Sequence, residues 1–224
     1  MDHPPVNGDE EFRELKLQLR QAEETGRVVL IPYFCTRLGD LEYAIMRERP
    51  HVLHFCCHGH ESHIILENEH RNGSLLPLKH LGALLHALKS PVRLVVLNAC
   101  ITSPDGVRAA NLAEYVVSFV GPVEEGLAVK FTSSFYNAAA FDHSIRESFE
   151  IARAAFNAWS HEAKPATRKG NESHQERAVA PLLICRPGSR SGDRRLFAPR
   201  EPGRIGMERK ADDAISRVFR FLSS

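Results

Sequence analysis

The sequence predicts an α/β protein, with a mainly parallel sheet held between layers of helix. Two observations lead there. Short apolar or β-branched runs alternate with amphipathic stretches of helical period along most of the chain. Two of those runs, Val52 to Cys57 and Arg93 to Asn98, end in reactive side chains. Open parallel sheets place their sites at the C-terminal ends of strands, in the crevice beyond them.

The elements follow in order. Residues 1–8 read as a polar leader. Glu10 to Glu24 reads as a helix, with Phe12, Leu15, Leu19 and Ala22 on one side, and Thr25-Gly26 ends it. Val28 to Ile31 is the first core strand, stopped by Pro32. Leu38 to Met46 is a second helix, and Pro50 breaks the pattern before strand Val52 to Cys57. Ile64 to Leu66 and Ser74 to Leu76 form a hairpin whose turn carries Asn72-Gly73. Leu78 to Leu88 is a helix opened by Pro77, and Arg93 to Asn98 is the next strand. Ser103 to Gly106 reads as a loop, followed by a helix around Val107 to Ala113 and a strand from Tyr115 to Val120. Two helices, Glu125 to Ala140 and His143 to Trp159, complete the alternation. Val179 to Cys185 is expected as an edge strand. Ala211 to Leu222 is expected as a terminal helix, with Ile215, Val218, Phe219 and Leu222 on one face.

The organisation expected is a leader and helix over residues 1–27, a core domain over 28–160, and a basic C-terminal extension over 161–224. Across 224 residues the net charge is only +1, so charge does not point to a nucleic-acid partner. It is unevenly spread: residues 1–160 hold 15 Lys and Arg against 20 Asp and Glu, and residues 161–224 hold 14 against 8. Five cysteines, Cys35, Cys56, Cys57, Cys100 and Cys185, form no disulfide framework. The first residues lack a signal-peptide pattern, and no apolar run approaches the ~18 residues that span a membrane. A reduced, cytoplasmic protein without a membrane span is expected.

The chemistry concentrates in His54-Phe55-Cys56-Cys57-His58-Gly59-His60 and in Leu97-Asn98-Ala99-Cys100. If their strands are neighbours, His58 and Cys100 share one crevice, and a thiol beside an imidazole is a nucleophile with its base. Gly59 lets the backbone turn and present its N–H, which with the N–H of Cys100 would hold a developing oxyanion. A zinc site is the competing reading of so many His and Cys. It is disfavoured, because alternate residues of one strand lie about 6.6 Å apart, too far to chelate without a bend. No metal or other cofactor is expected. His54 is expected as a packed residue, and Cys56 and Cys57 as strand interior.

His-Phe-x-x-His-Gly at His54 to Gly59, followed by Leu-Asn-Ala-Cys at Leu97 to Cys100, resembles the CHAT family of caspase-like cysteine peptidases. Val116 to Pro122, Phe131 to Tyr136 and Ser144 to Arg153 resemble later family motifs, in the same order. The resemblance covers about residues 28–157 and rests on five motifs in sequence. It implies a caspase–haemoglobinase-like, three-layer α/β/α fold and endopeptidase activity. His58 carries over as the base, Cys100 as the nucleophile and Gly59 as an oxyanion donor.

The resemblance also implies that Asn98, two residues before the nucleophile, lines the first specificity pocket. Related enzymes carry Asp or Gln there, and the neutral Asn98 argues against strict selectivity for basic residues. Glu124, Glu125 and Asp105 read first as solvated loop charges and otherwise as acid supplied to the pocket, and His60 sits at its lip. Ile101 departs from the small residue usual after the nucleophile. The implied partners are a protein substrate and an activating or inhibitory protein. The implied setting is regulated proteolysis in bacterial defence or cell death, with gasdermin-like pore-formers among candidate substrates. Two other readings stand beside this one: a catalytically silent caspase-like interaction module, and a metal-binding α/β protein.

Overall fold

The computed structural model describes residues 7–101, 103–162, 179–187, 195–197 and 217–223. The chain opens with α1 (Gly8–Glu24) and β1 (Val28–Tyr33). Next come α2 (Leu38–Glu48), β2 (Val52–Cys56), β3 (Gly59–His60), β4 (His63–Glu67) and β5 (Gly73–Pro77). Then follow α3 (Leu78–Ala87), β6 (Leu94–Ile101), α4 (Pro104–Ala110) and β7 (Tyr115–Val120). The last elements are α5 (Glu125–Ala140), α6 (Ile145–Glu162), β8 (Ala180–Cys185) and β9 (Arg217–Ser223).

The central sheet runs β1-β9-β2-β6-β7-β8. Every neighbouring pair is parallel except β7 with β8. A second, antiparallel sheet runs β3-β4-β5. Successive side chains of a strand point to opposite faces, so each face of the central sheet builds its own core. On one face, Leu15 and Leu19 of α1 meet Phe131 and Phe135 of α5 and Phe149 and Phe156 of α6, over Val52, Cys56 and Val96. On the other, Leu41 and Ile45 of α2 meet Leu81 and Leu85 of α3 and Val107 of α4, over Leu53, Phe55 and Leu97. The three-layer α/β/α architecture expected from the sequence is the one observed.

Several local expectations are corrected. Pro32 lies inside β1 rather than stopping it. Among the described residues β1 is the sheet's edge and pairs only with β9, so the missing N–H of proline costs no ladder bond on the other side. The expected loop at Ser103 to Gly106 is the start of α4. The Ser103 hydroxyl accepts from the Gly106 N–H at 3.1 Å and Pro104 fills the first turn, which is the chemistry of a helix start. The same helix ends at Ala110, where Asn111 turns left-handed at φ 49°. Strand β6 runs on to Ile101, so Cys100 is inside its strand and not just past it.

The expected terminal helix is also corrected. Residues 217–223 form β9, a strand inserted between β1 and β2, parallel to both. Residues 211–216 of that expectation lie outside the described residues. Phe221 and Leu222 are fully buried, one on each face, because β9 is flanked on both sides and covered above and below.

Helices α3 and α4 touch through backbone. A Cβ added at Gly82 would sit 1.9 Å from the Ala110 carbonyl oxygen, whereas at exposed Gly39 of α2 it would meet nothing within 4 Å. Gly82→Ala is therefore expected to destabilise the protein by about 1–3 kcal/mol through overpacking. Gly39→Ala is expected to stabilise it by roughly 0.5 kcal/mol through reduced freedom of the unfolded chain. Urea unfolding of the two variants checks the opposite signs.

Candidate active site

Strands β2 and β6 pair in parallel with Cys56 opposite Asn98, and the Cys57 N–H carries the pairing one step further to the Asn98 carbonyl at 3.3 Å. The chain then leaves β2 through His58 into β3. A Cβ added at Gly59 would lie 2.9 Å from Ile101 Cδ1, 3.0 Å from Ala99 Cβ and 3.0 Å from the Cys100 carbonyl oxygen. The His58-Gly59 exit is thus pressed against the backbone that carries Cys100. No left-handed φ occurs at Gly59, which lies in extended β3. The need for glycine is close approach, not the sharp turn the sequence suggests.

Two further features shape this corner. The β6–β7 pairing shifts after Leu97: Leu97 faces Ser118 but Cys100 faces Phe119, so Asn98 and Ala99 form a bulge immediately before the cysteine. Bulges bend a strand and re-aim the side chains next to it. Antiparallel β3 and β4 place Gly59 opposite Ile64, while the Ile65 N–H donates to the His58 carbonyl at 2.9 Å. That is the pattern of a non-hydrogen-bonded pair at Gly59, so its N–H stands outside the β3–β4 ladder.

The walls are pinned to each other. The Ser103 N–H donates to the Glu61 carbonyl at 3.4 Å, and the Leu78 N–H donates to the Ser62 carbonyl at 2.9 Å. A Cβ at Gly106 would meet Ser62 Cβ at 2.5 Å, so the start of α4 abuts the β3–β4 turn.

The cysteines separate by environment. Cys56 and Cys57 are buried, Cys100 and Cys185 are half-buried, and Cys35 is exposed. Burial pushes the Cys57 thiol up to about 12, and burial with the Glu11 charge pushes Cys56 further still. Neither offers a thiolate near neutral pH. Both are strand interior, as the sequence suggests. His58, two residues past β2, and Cys100, the penultimate residue of β6, are both half-buried.

The remaining candidates are distributed differently. His60 is exposed on β3, opposite His63. Asp105 is 94 % exposed on its side chain and pairs with Arg108 at 2.8 Å along α4. Glu125 accepts from the Asn7 N–H at 2.7 Å. It lines a groove of about 600 Å³ between α1 and α5, with Glu10, Glu14 and Trp159; His58 and Cys100 are not among its lining residues. Asn98 is buried, and its amide nitrogen donates to Glu11 at 2.6 Å. The side chain expected to line the first specificity pocket is instead buried and engaged by Glu11.

Glu11 is the buried polar residue beside the candidate site that sequence reasoning missed. It is 1 % exposed, under the site. Its Oε1 accepts from Asn98, from His54 Nε2 at 3.0 Å and from Thr132 Oγ1 at 3.0 Å. His54 is fully buried, meets the Tyr136 hydroxyl through Nδ1 at 3.2 Å and stacks on Phe221 at 5.2 Å. The signal was present. Glu11 lies on the stripe of Leu15, Leu19 and Ala22, all buried in α1, and a charge on a buried stripe requires buried partners.

Burial pushes the Glu11 carboxyl up. The His54 charge and the hydrogen bonds from His54, Cys56 and Asn98 together outweigh it and hold the group below its ordinary 4.5. Among the described residues, no group of three His, Cys, Asp or Glu side chains is placed to hold a metal ion. No described helix is long and apolar enough to cross a membrane.

A parallel sheet between helical layers, opening at two neighbouring strand exits, is the architecture of caspase-like proteins, and by fold this chain is one of them. Within that class it belongs to the CHAT family: the CHAT domain matches residues 21–168, about two-thirds of the chain. The family is caspase-like and peptidase-related. No curated protein matches the chain.

The depressed Glu11 gives a definite pH signature. A carboxyl whose folded value lies below its unfolded value stabilises the fold above the unfolded value, and that contribution is lost as pH falls through the folded one. The loss is expected below about pH 4.5. Urea midpoints measured between about pH 6 and pH 3 should fall more steeply for the wild type than for Glu11→Gln, which has no carboxyl to titrate.

Proposed function

We propose that this chain is a caspase-like cysteine endopeptidase working through a His58/Cys100 dyad. The observation that carries the reading is the packing of the His58-Gly59 exit on the Cys100 backbone, where a Cβ at Gly59 would lie 3.0 Å from the Cys100 carbonyl oxygen. Supporting it, the backbone of His58-Gly59 lies against the backbone that carries Cys100, and the Gly59 N–H stands outside the β3–β4 ladder.

In this reaction His58 takes the proton of the Cys100 thiol, and Sγ attacks the scissile carbonyl carbon. The carbonyl electron pair moves to oxygen, and the N–H groups of Gly59 and Cys100 hold the resulting oxyanion. The tetrahedral intermediate collapses, the C–N bond breaks, and the imidazolium of His58 gives its proton to the leaving amine. A thioester remains on Cys100. His58 then takes a proton from water as the water attacks, and collapse releases the acid and regenerates the thiol.

The substrate is a partner protein in a regulated pathway, with defence or cell death as the setting and a gasdermin-like pore-former as the candidate. His60 at the lip contacts the substrate. Asn98 supports the pocket from below. A second protein controls activity in the cytoplasm, and the chemistry uses no metal.

An electrophilic peptide probe is expected to label Cys100 in the wild type and to lose that labelling in His58→Ala. Peptidase turnover should fall by about 10²–10⁴ in His58→Ala, the usual range for a general acid–base group. Cys100→Ala should abolish it and supply the reference for a proteome-wide cleavage profile. Absence of Cys100 labelling in the folded wild type would instead identify a silent interaction module, and stoichiometric zinc in the purified protein would sink the dyad. Gly59→Ala, whose Cβ would force the two exits apart, is expected to lower kcat by roughly 10²-fold, the scale of a 1 Å misplacement.

A further inference from the structure

We propose that Glu11 is a positioning residue: through its Oε1, α1 ties together the two strands that deliver His58 and Cys100. The inference rests on the dyad reading above and goes beyond it, because Glu11 lies outside the matched span of residues 21–168.

The geometry is specific. Oε1 accepts from Asn98 Nδ2 at 2.6 Å and from His54 Nε2 at 3.0 Å. Asn98 is two residues before Cys100 on β6, and His54 is four before His58 on β2. A third bond comes from Thr132 Oγ1 of α5 at 3.0 Å. One atom therefore joins both reacting strands to the two helices that cover them. Asn98 also opens the β6 bulge that precedes Cys100, so fixing its amide fixes the bend at which the nucleophile emerges. Oε2 is buried and has no hydrogen-bond partner among the described residues. The arrangement thus needs one acceptor oxygen. Glutamine can supply that oxygen and leucine cannot.

The test reads the reactivity of Cys100 toward iodoacetamide at neutral pH, by peptide mass spectrometry on the intact, folded chain. This small probe needs no substrate pocket. Exposed Cys35 serves as the internal control. His58→Ala sets the reference: a rate at least tenfold below wild type shows the dyad is acting. Against it, Glu11→Leu and Asn98→Ala are expected to slow Cys100 by tenfold or more, with Cys35 unchanged. Glu11→Gln should remain within about threefold of wild type. Thr132→Val removes the helix arm and leaves both strand arms, and should remain within twofold.

A Cys100 rate unchanged or raised in Asn98→Ala, or in a folded Glu11→Leu, overturns the proposal. So does an equal loss in Thr132→Val, which would mean general loosening, or a loss in Glu11→Gln as deep as in Glu11→Leu. Should Glu11→Leu fail to fold, Asn98→Ala and Thr132→Val decide by the same criteria. A Cys100 rate indifferent to His58→Ala is a separate result: it removes the dyad reading itself, and the positioning role with it.

Discussion

Two strands distant in sequence must lie side by side, in one register, before any chemistry is possible here. Strand β2 pairs with β6 so that His54 faces Val96 and Cys56 faces Asn98. Because side chains alternate between faces, a slip of one residue would turn every one of them to the other side of the sheet. The apolar faces forbid that slip: Leu53 and Phe55 are buried against α2 and α3, and Val52 and Cys56 against α1 and α5. Packing thus sets the register, and the register sets where the two strands end. The backbones of His58 and Cys100 inherit their proximity from core residues.

That dependence explains which features were legible in the sequence. His58 and Cys100 stand out because each ends a strongly apolar run, a local pattern that survives without any knowledge of neighbours. The limits of β7 and α5 were equally readable, with Gly121-Pro122 between them. The C-terminal strand was not. Its Val-Phe-Arg-Phe-Leu run fits a buried strand as well as a helix by spacing alone. What decides the matter is a vacancy between β1 and β2 that only the assembled sheet presents. The order of strands is a non-local property, and non-local pairings leave no periodic mark on the chain.

The site residues divide along the same line. Asp105 reads as an available loop acid until Ser103-Pro104 is seen as a helix start; Arg108 then falls one turn away and takes the carboxylate. Glu125 finds its partner in Asn7, 118 positions away. Asn98 lies two residues before Cys100, but its amide is taken by Glu11, 87 positions away in α1. Glu11 carried a local clue in its position on a buried stripe, yet its role depends on how α1 docks on α5.

Energetics argue that Glu11 is not there for stability. Removing a carboxylate from water costs several kcal/mol, and a buried ionic cluster replaced by well-packed apolar residues is often neutral or stabilising by about 1–4 kcal/mol. Hydrogen bonds to a charged group return about 1.5–3 kcal/mol each, so the bonds from Asn98, His54 and Thr132 offset that cost and keep Glu11 ionised. Phe221 on the other side of His54 contributes the opposite kind of interaction. It is an apolar ring in register with His54 across the β2–β9 pair, with stacking worth about 0.5–1.5 kcal/mol beyond its burial. The N-terminal helix therefore reaches His54 with direction and the C-terminal strand reaches it with area. Area holds the sheet together and tolerates small shifts. Hydrogen bonds to one oxygen do not, so Glu11 holds β2 and β6 by direction where Phe221 holds β2 by packing alone.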